Sequence, residues 1–143
     1  MSNTSPVNAA ALVPPVYKAF GAAQAEILEQ GLEPALHHLV FLRASQINQC
    51  AFCVKMHTRE AREDGETDER LDRLVVWEHV DDFTEKEKAA LAWTEALTVL
   101  DRKTDYGRLR ARLREHFSDK EIGVLTMTIA MINVWNRLQV SQH

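Results

Sequence analysis

The segment Cys50-Ala51-Phe52-Cys53-Val54-Lys55-Met56-His57 carries the residue types best suited to chemistry in this chain. On a helix, residues three apart share a face, with α-carbons about 5 Å apart. A disulfide accepts α-carbons roughly 4.4–6.8 Å apart. Cys50 and Cys53 can therefore join and separate without rebuilding the backbone, as a redox-cycling dithiol requires. The thiolate is the nucleophilic form, and a helix N-terminus stabilises it. Cys50, in the first turn, feels most of that field. Cys53 lies one turn further in, but His57 follows four residues on along the same face. An imidazole with an ordinary pKa of about 6.5 can take the thiol proton near neutral pH. The dipole favours Cys50 as the more acidic thiol; base placement favours Cys53 as the attacking group. Spacing alone leaves both open.

Two other chemistries compete with a redox pair. Cys50, Cys53 and His57 can supply three zinc ligands, with His37, His38 or His79 as the fourth, although structural zinc sites usually place their second ligand pair farther along the chain. Free cysteines are also commonly inert core residues. A Cys-x-x-Cys at a helix start with a histidine one turn on points to the redox pair. No metal and no cofactor are expected.

The elements that must hold this pair are helical. Only 5 Gly and 4 Pro occur in 143 residues, which favours long helices over many short strands. Residues 1–13 read as a flexible arm, and 14–143 as one helical domain. Pro14 and Pro15 open a helix that stops at Gly31, and Pro34 begins a second one through Leu36, Leu39, Val40, Leu42 and Ile47. Asn48 is the expected N-cap of the cysteine helix, which ends near Asp64 and Gly65. A further helix starts at Thr67 and carries Leu71, Leu74, Val75 and Trp77. Capping boxes at Thr84–Glu87 and Ser118–Glu121 open two more, with a weaker helix at about 105–116 between them. The last helix, about 120–139, is apolar on most faces and is expected to be buried in part against another subunit. The fold class is thus all-α, a compact bundle of about six to seven helices with the cysteine pair at the N-terminus of a central helix.

Hydrophobic residues make up 45% and charged residues 27%, the balance of a globular chain. The net charge of −4 is spread without a basic block, which speaks against nucleic acid and anionic membrane surfaces. No apolar run reaches membrane-span length, and Met1–Ala11 lacks the features of a secretory signal, so a cytoplasmic location is expected. In that compartment a cysteine pair is more often catalytic or sensory than a structural staple.

The stretch from Leu39 through Cys50, Cys53 and His57 to Thr58 resembles the AhpD-like core of the carboxymuconolactone decarboxylase superfamily. The resemblance continues through Gly65-Glu66-Thr67, Glu87–Leu91 and Asn133–Arg137, and covers roughly residues 14–138. It implies an all-α fold, assembly as trimers or hexamers, and reduction of hydroperoxides by a cysteine pair, restored by a thiol or dithiol reductant. It further implies that Cys53 is the peroxidatic cysteine, Cys50 the resolving one and His57 the motif histidine. Decarboxylase members lack the pair, so that activity is not expected. One departure stands out. The family often has a relay glutamate twelve residues before the first cysteine, and here that position is His38. A histidine found between the cysteines in some members is Phe52 here. His38 itself, or Glu33 or Glu78, is the expected substitute in the relay. The alternative function is a dithiol–disulfide reductase or redox sensor with weak peroxidase activity.

Other residues read as structural: Gln46 as a hydrogen-bonding neighbour of the thiols or a framework residue, Arg43 as partner of an acid across the bundle, Glu78 and His79 as loop residues. Trp77, Trp93 and Trp135 read as core or interface anchors rather than substrate platforms.

Overall fold

The computed structural model describes residues 1–143, and every regular element is a helix. In chain order these are α1 (Ala9–Leu12), α2 (Pro14–Glu29), α3 (Pro34–Ile47), α4 (Ala51–Glu63), α5 (Asp68–Arg73), a 3₁₀ turn (Leu74–His79), α6 (Glu85–Val99), α7 (Tyr106–Arg114) and α8 (Asp119–Val140). The count is eight rather than six or seven. One reason is α1, a single turn capped by Asn8 inside the segment read as an arm. Both expected capping boxes form: Thr84 with Glu87 opens α6, and Ser118 with Glu121 opens α8. In each, a hydroxyl and a carboxylate satisfy N–H groups that the first turn leaves unpaired.

The most enclosed helix is α3. Its side chains feed three separate apolar clusters, because α4, α6 and α8 pack around it. Leu36 and Val40 meet Trp93, Phe117, Leu125 and Ile129; Leu39 and Leu42 meet Ala61, Leu74, Trp77 and Leu91; Phe41 and Ala44 meet Ile132. By contrast α4 buries one stripe, Cys53, His57 and Ala61, at four-residue spacing. The apolar α8 is buried on most but not all faces, and Met127 is left exposed.

Helices α3 and α4 form an antiparallel hairpin, and its turn delivers the cysteines. Asn48 ends α3 as its C-cap instead of opening α4. Gln49 adopts a left-handed conformation with φ 55°. The Gln49 N–H donates to the Gln46 carbonyl and the Cys50 N–H to the Ser45 carbonyl, both at 3.1 Å. This is the Schellman pattern, with glutamine in the position glycine usually fills. Cys50 emerges directly as the N-cap of α4. The far end of α4 closes by the same pattern with Gly65 in the left-handed position, as its sequence signal indicates.

Candidate functional site

Cys50 and Cys53 are joined as a disulfide with α-carbons 5.2 Å apart, within the range expected from the helical spacing. The two sulfurs differ in surroundings. Cys50 Sγ accepts the Cys53 N–H at 3.3 Å, as an N-cap side chain does. Both cysteines are buried, and Cys50 is not among the residues that line the pocket beside Cys53. Cys53 lies on the wall of a pocket of ≈ 320 Å³, with His57, Phe41, Phe52, Met56 and Trp135 among the other residues lining it.

His57 is held from two sides. Its Nδ1–H donates to Glu60 Oε2 at 3.1 Å, one turn along α4. A carboxylate only accepts, so this contact places the proton on Nδ1 and leaves Nε2 as a base. The ring of Phe41 packs edge-on against it, with centroids 5.1 Å apart. Burial lowers the His57 pKa below its ordinary value, and the hydrogen bond and charge of Glu60 oppose that shift in part. His57 is therefore neutral at pH 7, the form a general base needs.

His38 lies near this site but makes its hydrogen bond to Asp64, not to His57. Its Nε2–H donates to Asp64 Oδ2 at 2.6 Å, at the C-cap of α4, and its Nδ1 is buried with no partner. The antiparallel register explains this: Phe41 of α3 lies opposite His57, so a residue three positions earlier falls beside the end of α4. Neither of the acids considered as substitutes reaches His57. Glu33 pairs with Lys86 at 2.7 Å, and Glu78 is exposed on the 3₁₀ turn beside His79. The acid on His57 is Glu60, whose i,i+3 spacing from the histidine was the available signal. Gln46 accepts from Arg43 at 3.1 Å, and Arg43 crosses to Glu95 at 2.8 Å, the cross-bundle pairing expected of it. Trp77 donates to the same carboxylate at 2.8 Å and is an anchor, whereas Trp135 lines the pocket.

His37, which carried no separate role, lies beside this site. Its ring packs on Phe41 at 4.1 Å between centroids. Burial, reinforced by the nearby His38 and His57, lowers its pKa to about 4. An unfolded histidine takes up its proton near pH 6.5. Between those values the unfolded chain binds a proton that the folded chain refuses, so stability falls as pH drops from about 6.5 towards 4. The ring is part-exposed, which limits the expected loss to the order of 2 kcal/mol. His37→Gln should flatten this dependence, leaving the smaller contribution of His57, when urea midpoints are compared at pH 7 and 4.5. An unchanged pH dependence in the variant would assign the loss to other groups.

Behind the cysteine turn is a buried amide cluster that motif reading missed. Asn48 Nδ2 donates to Asn133 Oδ1 and Asn136 Oδ1, each at 2.9 Å, and Asn136 Nδ2 donates to Ser45 Oγ at 3.0 Å. Asn136 and Ser45 are fully buried. Two asparagines three apart in an otherwise apolar helix were the signal for it.

The sequence profile of the carboxymuconolactone decarboxylase family matches residues 14–96, more than half of the chain. The chain belongs to this family. A Bacillus subtilis relative, the uncharacterized protein YdfG, is 36% identical over 113 residues, covering 79% of this chain and 77% of the relative. The fold matches a protein of unknown function from Agrobacterium tumefaciens, described in connection with the antioxidant defence protein AhpD. That match has a TM-score of 0.89 and 39% identity over 97% of this chain and 95% of the other. An uncharacterized peroxidase-related protein from Ralstonia eutropha, described as an alkylhydroperoxidase AhpD core, shares the fold with a TM-score of 0.77. It is 22% identical, over 90% of this chain and 68% of the other. This family member thus has the AhpD-like helical fold with its cysteine pair in place. None of its helices is long and apolar enough to cross a membrane.

Proposed function

We propose that this protein is a thiol-dependent peroxidase that reduces organic hydroperoxides, with hydrogen peroxide as a smaller substrate. The observation that carries this reading is the asymmetry of the pair: both cysteines are buried, but Cys53 shares a pocket wall with His57, while Cys50 sits at the helix cap away from that pocket. In the reduced protein, His57 Nε2 takes the Cys53 proton. The thiolate attacks the outer peroxide oxygen; the O–O bond breaks, the alkoxide leaves as alcohol with the returned proton, and Cys53 becomes a sulfenic acid. The Cys50 thiol condenses with it, water leaves, and the Cys50–Cys53 disulfide forms. A thiol or dithiol reductant returns two electrons by disulfide exchange. The Cys53 N–H and the helix N-terminus stabilise Cys50 as the departing thiolate in that exchange.

In this reading Glu60, not His38, orients the base. Glu60→Gln is expected to lower kcat/KM roughly tenfold to hundredfold. Because Glu60 raises the His57 pKa, its loss should also move the acid limb of the pH profile to lower pH. A rate loss with an unmoved profile would reduce Glu60 to a framework residue.

The direct test is mass spectrometry of the reduced protein after one equivalent of an organic hydroperoxide. Rapid loss of ~2 Da mapping to a Cys50–Cys53 peptide is the expected result. The second reading, a dithiol–disulfide reductase or redox sensor, is favoured by His38 being committed to Asp64. Fast oxidation by a disulfide donor, with a thiol inert to peroxide for many minutes, would select it.

A further inference from the structure

The pocket in front of Cys53 has a built far wall that the redox chemistry leaves unused. That wall joins α2 to α8. Trp135 Nε1–H donates to Gln24 Oε1, Tyr17 stands edge-on to the indole at 5.4 Å, and Phe20 does so at 6.2 Å. The indole is thereby fixed in orientation at the pocket, with Tyr17, Gln24 and Gln139 lining beside it. From α2, Tyr17 and Gln24 line this pocket, on a helix with no fully buried residue.

We infer that Trp135 and Tyr17 are specificity-determining residues that bind the organic group of the hydroperoxide, and that they select a compact, uncharged, aromatic or tertiary-alkyl substituent. This rests on the peroxidase reading of Cys53. Three observations set the class. The walls are mostly apolar and aromatic, and a preorganised indole face suits an aryl group. A pocket of ≈ 320 Å³ is at the small end of ligand sites and matches a single ring or branched group in size, with no extended groove for a long chain among its lining residues. No lysine or arginine lines it, so nothing in the pocket attracts an anionic substituent. Hydrogen peroxide reaches the same sulfur without using the wall.

The test compares kcat/KM for cumene hydroperoxide, linoleic acid hydroperoxide and hydrogen peroxide. Wild type should prefer cumene hydroperoxide over both. Trp135→Leu and, on the more exposed α2, Tyr17→Ala should each lower the ratio of cumene hydroperoxide to hydrogen peroxide by about tenfold or more, the scale of lost apolar contact in a specificity pocket. Leu28→Ala, on α2 but outside the pocket, should leave that ratio in place. A preference for the linoleic substrate, or equal losses on both peroxides in the pocket variants, would overturn the inference. A binding readout separates it from the peroxidase reading: titration of the disulfide form with 2-phenyl-2-propanol should shift the Trp135 indole N–H resonance saturably, and less so in Tyr17→Ala. If wild type turns over no peroxide yet shows this shift, the function fails and the pocket assignment stands. If the resonance does not move, the pocket assignment fails whatever the turnover.

Discussion

Replacing Cys53 with Ser is expected to lower hydroperoxide turnover by at least about 10³-fold, while Cys50→Ser reacts once and stops. The asymmetry follows from where each sulfur sits. Only Cys53 faces the pocket that also holds His57, and the two are one helical turn apart on the buried stripe of α4. A serine hydroxyl there keeps the shape and loses the nucleophile. Cys50 is enclosed, but its α-carbon lies 5.2 Å from that of Cys53, so it reaches the sulfenic acid with no backbone movement. Without it the oxidised state persists. The Cys50→Ser protein should gain ~16 Da in a single burst and become reactive to dimedone, with no further peroxide consumed. The reverse pattern, a burst in Cys53→Ser and an inert Cys50→Ser, would exchange the two roles.

Asn136→Leu should destabilise the oxidised protein by about 2–4 kcal/mol, although the side chains are similar in size. Asn136 is fully buried, accepts from Asn48 and donates to Ser45. Leucine removes both bonds: Asn48 keeps Asn133 and Ser45 keeps the Phe41 carbonyl, but one amide N–H and one hydroxyl lone pair lose their partner, at about 1–3 kcal/mol each. For a chain of this length the melting temperature should fall by roughly 5–15 °C. The loss also reaches the site. Ser45 holds the Cys50 N–H through its carbonyl, and Asn48 caps the helix just before the cysteine turn. A loosened turn should let dithiothreitol reduce the disulfide faster. Urea unfolding that shows a loss below about 1 kcal/mol would mean that water replaces the amide and the cluster is not a strong tie.

The local features were written in the sequence because they depend on nearest neighbours along a helix. The capping boxes at Thr84 and Ser118, the stop at Gly65, and the Cys50–Cys53 spacing each need only a few consecutive residues, and each occurs as expected. The same limit explains the errors. Asn48 has the chemistry of an N-cap, but its amide is claimed by Asn133 and Asn136, more than eighty positions away. The left-handed turn at Gln49 had no glycine to announce it.

The sequence by itself determined the helical class, the redox-competent pair and the histidine one turn beyond it. Helical periodicity and side-chain chemistry suffice for those. Only the tertiary structure decided which sulfur faces a pocket and what His38 does. The first depends on how α2, α3 and α8 close over α4, and the last on the register of the α3–α4 hairpin. His38 falls past His57 and meets Asp64. Burial then lowers the His57 pKa and keeps it neutral, because removing a charge from water costs more than Glu60 returns.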